Sequence, residues 1–214
     1  MNLKQIIITF IILIILIGAG RYYYNKFKPS TPNSTNGSQT NIKKCIDQYG
    51  NKVDVEYNTN NKIIKQTTYQ KRSNTIKQID EYTDNEKLIK STHYQRDGQT
   101  IAQIHEYNEN EKLVKAKHYQ PNGRTIEQID EYNENGQNTK ATEYYPDGQT
   151  IKQNGEYENG ILIKKTEYNT DKTIKNIEEY NPVDGQPTKT TEYNLDRTIK
   201  KITEYNPDGT KKIK

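Results

Sequence analysis

The side chains that could hold a metal or move a proton are three histidines, His93, His105 and His118, one cysteine, Cys45, and 28 acidic residues. A metal centre needs its donors about 2 Å from one ion. His93 and His118 occupy equivalent places one repeat apart, two strands or roughly 10 Å from each other. The spacing puts His105 on the opposite face of a strand from both. Cys45 has no neighbouring Cys or His, so neither a disulfide nor a metal site is expected there. The glutamates that precede tyrosine recur at the repeat period, as solvated strand positions do. A catalytic pair would break that period and sit in a pocket that shifts its pKa. No glycine-rich phosphate loop opening a helix, cysteine cluster or serine nucleophile elbow is present. The expectation is a protein without catalytic activity, cofactor or metal.

Composition points the same way. Of 214 residues only 30% are hydrophobic, against roughly 45–50% (counting Gly) for ordinary domains. Mean hydropathy is -1.17. A thick core cannot be built from this material, and plain disorder is the alternative to be beaten. Basic and acidic residues, 32 against 28, are interleaved and give a net +4. No basic run marks a nucleic-acid site, and none is expected.

The chain begins with an uncharged, mostly apolar run from Ile6 to Gly20, followed by Arg21, three tyrosines, Lys26 and Lys28. Extended to Tyr24 it approaches the length of a membrane span, about 20 residues. A cleavable signal peptide ending in Gly18-Ala19-Gly20 is the competing reading. The favoured reading is an uncleaved single-pass anchor over 1–28. Charges after the run would hold the body inside by the positive-inside rule. The polar spacer over 29–41 makes more sense outside, so an exported body is expected, with a secreted form as the alternative. Residues 42–54 lead into the repeats.

Tyrosines then fall at 57, 69, 82, 94, 107, 119, 132, 144, 157, 168, 180, 193 and 205. Steps of about 12 and 13 alternate, giving a period near 25 made of two half-units. One half reads as Thr100–Tyr107 does, T-I-x-Q-I-x-E-Y; the other reads as Leu113–Tyr119, L-[IV]-K-x-x-x-Y. Turn signals such as Asp97-Gly98, Asn122-Gly123 and Asn159-Gly160 stand between them. Segments of about eight residues are too short for stable helices and right for strands. The fold expected is mainly β: a repetitive antiparallel hairpin meander of about a dozen short strands over 55–214, after one N-terminal hydrophobic helix.

Tight turns fix register. A two-residue turn at Asp97-Gly98 sets Tyr94 opposite Ile101. The same arithmetic pairs Tyr119 with Ile126, Tyr144 with Ile151 and Tyr157 with Leu162. Three-residue loops pair Tyr82 with Leu88 and Tyr107 with Leu113. Extended inward, this register sets Asp80 opposite Lys90, Asp130 opposite Lys140 and Glu143 opposite Lys152. With a period of two, Ile101, Gln103, His105 and Tyr107 share a face with Leu113, Lys115, Lys117 and Tyr119. All repeat tyrosines are then expected on one face: Tyr82, Tyr94, Tyr107, Tyr119, Tyr132, Tyr144, Tyr157, Tyr168, Tyr180, Tyr193 and Tyr205. Ile79, Ile104 and Ile129 form a thin line on the other, flanked by Lys, Glu and His.

The motif Thr-Ile-x-Gln-Ile-Asp-Glu-Tyr, followed by Asn-Glu-Asn-Gly or Tyr-Pro-Asp-Gly, resembles the hairpin repeats of an uncharacterised tyrosine-rich family of phytoplasma membrane and secreted proteins. More remotely it is similar to tyrosine-glycine hairpin repeats and MORN-type repeats. The resemblance covers about residues 55–210 and implies no activity. The chain departs from it at Tyr168 and Tyr193, where turns shorten and lose Gly, and at Pro182–Pro187, where a loop lengthens.

Three roles compete. The first is a membrane-anchored, surface-exposed protein that engages a host or envelope partner through its tyrosines, which offer contact area at low entropic cost. The second is a purely structural spacer. The third, a carbohydrate-binding or hydrolytic surface module, suffers from the absence of Trp and of a unique acidic site.

Overall fold

The structure, a computed structural model, describes residues 41–213. The anchor and most of the spacer lie outside the described residues. Among the described residues there is no helix that could cross a membrane. What they form is one antiparallel sheet of fifteen strands in strict chain order. The first five are β1 (Asn41–Ile46), β2 (Lys52–Tyr57), β3 (Ile63–Tyr69), β4 (Ile76–Tyr82) and β5 (Leu88–Tyr94). Then come β6 (Ile101–Tyr107), β7 (Leu113–Tyr119), β8 (Ile126–Tyr132), β9 (Asn138–Tyr144) and β10 (Ile151–Glu158). The last are β11 (Ile161–Tyr168), β12 (Ile174–Tyr180), β13 (Pro187–Tyr193), β14 (Ile199–Tyr205) and β15 (Lys211–Ile213). The expected hairpin meander is therefore present, and its first described strand begins at Asn41.

The sheet is a single layer. Among the described residues the buried hydrophobic side chains are Val53, Val55 and Ala116. A sheet normally buries one face against a second layer; here both faces stay wet. Cross-strand pairs must supply most of the stabilisation.

Two kinds of turn alternate along the two margins. On one margin a three-residue loop closes with Thr83 N–H donating to Lys87 O at 2.9 Å, and Glu86 N–H donating to Thr83 O at 2.8 Å. Its last loop residue is left-handed: Asn61 (φ 59), Glu86 (φ 60), Glu111 (φ 58) and Gly136 (φ 75) occupy that place in successive repeats. This is a type I turn with a bulge. On the other margin the loop is longer than the expected two residues. Gln95 N–H donates to Thr100 O at 2.8 Å, and Gly98 N–H to Gln95 O at 2.9 Å. Four residues, 96–99, thus lie inside the closing pair, with Gly98 left-handed at φ 68. Asp97 holds this loop by accepting from the backbone N–H of Gln99 and of Thr100, both at 2.9 Å, and from the Thr100 hydroxyl. Among the described residues only Asn159-Gly160, with φ 52 and 79, is the two-residue turn its sequence signals. The shortened turns after Tyr168 and Tyr193 close as three-residue loops, and the Asn181–Gln186 turn is one residue longer.

Turns on the Gly98 margin overlap one another. A methyl group on Gly98 would stand 2.6 Å from Ile76 N and 3.0 Å from Ile76 O, at the start of the strand two positions back. Gly123 stands likewise 2.8 Å from Ile101 N. On the opposite margin the reach is made by side chains. The backbone N–H groups of Ile63 and Leu88 donate to Glu86 and Glu111, each at 3.2 Å.

A second feature recurs from β2–β3 through β13–β14: every pairing shifts register by one residue next to its tyrosine. Tyr94 pairs with Ile101 as expected, but His93 then pairs with Gln103, leaving Ala102 as the extra residue. A bulge inserts one residue into one strand only. Because side chains alternate, one inserted residue turns the rest of that strand over.

Candidate functional site

The bulges redistribute the tyrosines. Tyr94 and Ile101 form one pair, but Gln103, His105 and Tyr107 lie on the other face from them. Lys115, Lys117 and Tyr119 likewise lie on the opposite face from Tyr107. Tyrosines ending β4, β6, β8, β12 and β14, together with Tyr157 of β10, share one face: Tyr82, Tyr107, Tyr132, Tyr157, Tyr180 and Tyr205. Tyr94, Tyr119, Tyr144, Tyr168 and Tyr193 stand on the other. The single tyrosine face expected from the turns is therefore wrong, although all six tyrosine–aliphatic pairs named above form.

The second group of tyrosines shares its face with a continuous charge ladder. Direct cross-strand partners run Glu56, Lys65, Glu81, Lys90, Glu106, Lys115, Glu131, Lys140, Glu156, Lys164, Glu179, Lys189, Glu204, Lys212. Acid and base alternate without a break from β2 to β15. Contacts within it include Lys65–Glu56 at 2.9 Å, Lys90–Glu81 at 3.0 Å and Lys164–Glu156 at 3.0 Å. Opposite charges directly across a pair contribute roughly 0.2–1 kcal/mol each. The expected pairs Asp80–Lys90 and Asp130–Lys140 are thus displaced by one. Asp80 faces Ser91, and Asp130 faces Ala141. Glu143 does reach Lys152, at 2.5 Å, although its backbone partner is Gln153. Beside this ladder runs a row of β-branched residues, Thr67, Ile79, Thr92 and Ile104, resumed at Ile129 and Thr142 after Lys117. Ile79, Ile104 and Ile129 are therefore on the ladder face, flanked by Lys and Glu but not by His.

The opposite face carries the histidines, and all three are on it. His93 and His118 both pair with Gln103, and His105 stands two residues from Gln103 on the same strand. His93 and His105 rings lie 4.8 Å apart, centroid to centroid. The expectation that His105 points away is corrected by the same bulge at Ala102. The Ser91 hydroxyl donates to Asp80 at 2.6 Å and lies 3.2 Å from His93 Nε2. Gln78 also donates to Asp80, at 2.8 Å. His118 Nε2 meets Asp130 at 3.1 Å, and its Nδ1 meets Gln103 at 3.1 Å. The order Asp–Ser–His is not that of a nucleophilic triad, and Ser91 is only 1% exposed. Its contacts join β4 to β5. Among the described residues no three His, Cys, Asp or Glu side chains are gathered as a metal set.

Five tyrosines of the histidine face are desolvated. Burial first, and nearby carboxylates second, push the hydroxyls of Tyr82, Tyr107, Tyr132, Tyr157 and Tyr180 above the ordinary tyrosine range. In Tyr180 the hydroxyl also donates to Glu178 at 2.5 Å. On the ladder face Tyr69 is raised as well, through burial and its hydrogen bond to Asp54 at 3.1 Å. Gly155 replaces the carboxylate that Asp130 supplies one repeat earlier. Tyr157 leans over it: an added methyl would meet the Tyr157 ring at 3.0 Å and Leu162 at 3.2 Å. A shallow depression of about 130 Å3 results, walled by Gln128, Glu143, Gln153 and Lys165. Cys45 is exposed on the outer strand β1, and desolvation chiefly pushes its thiol above the ordinary cysteine range.

These features define a protein class: an open, single-layer array of tandem hairpins, each half-unit repeating the same surface chemistry. Five stretches, 46–93, 73–118, 119–167, 144–191 and 168–214, match a family described as protein of unknown function (DUF2963), and the chain belongs to that family. No curated protein matches the chain. Solved structures to which it is similar include a point mutant of S. aureus TarM, crystallised in complex with Fondaparinux, alpha-GlcNAc-glycerol and UDP. That likeness has 18% identity and a TM-score of 0.38, over 52% of this chain and 21% of that one. Another TarM structure has 17% identity and a TM-score of 0.37, over 52% and 20%. The GtfA/B complex bound to UDP and GlcNAc has 16% identity and a TM-score of 0.26, over 52% and 22%. The chain spans about a fifth of these proteins' length, and likeness at this level says nothing of activity.

Proposed function

We propose that the chain is a non-catalytic display protein, held to a membrane by Ile6–Gly20 with its repeats outside the cell, that engages a host or envelope partner through the ladder face. One observation carries this reading: the bulges divide the tyrosines into two sets with different surroundings. Tyr82, Tyr107 and Tyr132 are desolvated beside Leu88, Leu113 and Asn138, as structural tyrosines are. Tyr94, Tyr119 and Tyr144 recur every second strand, roughly 10 Å apart, on the face that carries alternating charge. Aromatic groups within a regular polar frame suit a multivalent protein surface, where each contact is weak and linkage multiplies them. The rival reading, a spacer with no ligand, assigns all these tyrosines to holding the sheet.

Photo-crosslinking in intact cells separates the two. A photoreactive phenylalanine at Tyr119 should capture a partner, and the same group at Tyr107 should not. Capture at neither position, in chains shown to be folded, supports the spacer. Protease added to intact cells should remove the repeats; full protection would overturn the outward orientation.

A further inference from the structure

The repeats depart from their own pattern at the histidines, and neither the tyrosines nor the charge ladder accounts for it. The three histidines of the chain stand on consecutive strands β5, β6 and β7, on one face. Equivalent places elsewhere are mostly acidic: Asp80, Asp130 and Glu178 for His105, with Gly155 and Thr203 the exceptions, and Glu143, Glu167 and Glu192 for His93 and His118, with Thr68 the exception. The rings of His93 and His105 are 4.8 Å apart and tilted by 58°. His105 is flanked by its two cross-strand partners, Ala116 on β7, 2% exposed, and Ser91 on β5, 1% exposed. Because Ser91 gives its proton to Asp80, His93 Nε2 is the donor to Ser91, which fixes the tautomer of a neutral ring.

We propose that β5–β7 form an acid-responsive joint, in which protonation sets cations on His93 and His105 against each other and loosens the sheet there while the remaining hairpins stay paired. The groups facing the two rings favour this. From β4 come Asp80, Gln78, Tyr82 and the positive charge of Lys77; from β5, Ser91; from β6, Gln103 and Tyr107; from β7, Ala116 and His118. Asp80 already accepts from Ser91 and Gln78, and Asp130 on β8 is engaged by His118. Neither carboxylate is placed between the two rings. Burial holds His93 below the ordinary histidine range, against the pull of Asp80. Burial first, then His93 and His118, hold His105 below it.

The direction follows from linkage. Histidines of the unfolded chain protonate near pH 6.5, and the folded rings resist until lower pH. The unfolded or opened state then binds more protons, so stability is complete above about pH 6.5 and falls as pH drops below it. Two unit charges at the 4.8 Å ring separation repel by an amount equal to about a fourfold change in an equilibrium even at the dielectric constant of water.

Hydrogen exchange of the full chain in detergent, at about pH 7.5 and about pH 5, tests this within the histidine window. After correction for intrinsic exchange, β5–β7 amides should lose protection at least about fourfold more than those of β11–β13, which carry no histidine. His105→Gln should abolish that contrast, and His93→Gln should reproduce the result from the neighbouring strand. The ratio is internal, so a uniformly weaker variant still reports. Uniform loss along the array, or an unchanged contrast in both variants, would overturn the proposal. So would imidazole signals of His93 and His105 that titrate at the ordinary histidine pH.

Discussion

Replacing Gly98 by alanine tests the overlap of turns more directly than any deletion. Gly98 is left-handed, at φ 68, and that conformation alone costs an L-residue about 1–2 kcal/mol. Gly136, at φ 75 with nothing within 4 Å of its added methyl, would bear only that strain. At Gly98 the methyl would also stand 2.6 Å from the backbone N of Ile76 and 3.0 Å from its O. Backbone cannot rotate aside as a side chain can, so the turn must lift from the start of β4. Overpacking of this kind costs a further 1–3 kcal/mol, roughly. The expectation is about 2–5 kcal/mol for Gly98→Ala against about 1–2 for Gly136→Ala. Gly136→Asn should cost still less, since Asn61 holds the same place at φ 59. Urea unfolding followed by circular dichroism measures all three, with hydrogen exchange to localise the loss to β4–β6. Equal costs for the two alanine variants would refute the close approach, whatever their size.

Three further outcomes are expected. Lys115→Glu places like charges between Glu106 and Glu131, lowering stability by roughly 1–2 kcal/mol over two pairs; urea midpoints at low and at high salt should converge as the charges are screened. Tyr82→Ala should cost more than the roughly 0.2–1 kcal/mol of its cross-strand pair with Leu88, because the side chain is also desolvated; denaturation curves of Tyr82→Ala beside Tyr82→Phe check it. Above about pH 10 unfolded tyrosines ionise while burial keeps Tyr82 protonated, so stability should fall as pH rises; Tyr82→Phe should flatten that slope in an alkaline melt.

Turns and pairings were legible because they depend on residues with special backbone freedom and on counting between them. Tyr94 opposite Ile101 and Tyr107 opposite Leu113 came from that count alone, and both form. Faces were not legible, because the bulge has no residue of its own: its extra position holds Ala102, Glu127 or Lys152 in equivalent strands. One signal was available. Three charge pairs fitted the unbulged register, but Glu81–Lys90, Glu106–Lys115, Lys115–Glu131 and Glu131–Lys140 fit the bulged one, in an unbroken series. Following the ladder through every repeat would have moved Asp80 and His105 to their observed face. The histidine cluster follows from that correction, since its parts lie twelve or more residues apart and meet only once the parity of each strand is known.

The overlapping turns give the array a direction of failure. The turn over 95–100 rests on the start of β4, that over 120–125 on the start of β6, and that over 145–150 on the start of β8. At these three places a later turn presses on the start of an earlier strand. Load applied beyond the last strand would lift hairpins that nothing covers, one after another, in a long series of small steps. Load applied from the β1 side would, on reaching β4, have to tear a strand from beneath the turn laid across its start. Over β4 to β10 the array should resist pulling from one side and unzip more readily from the other.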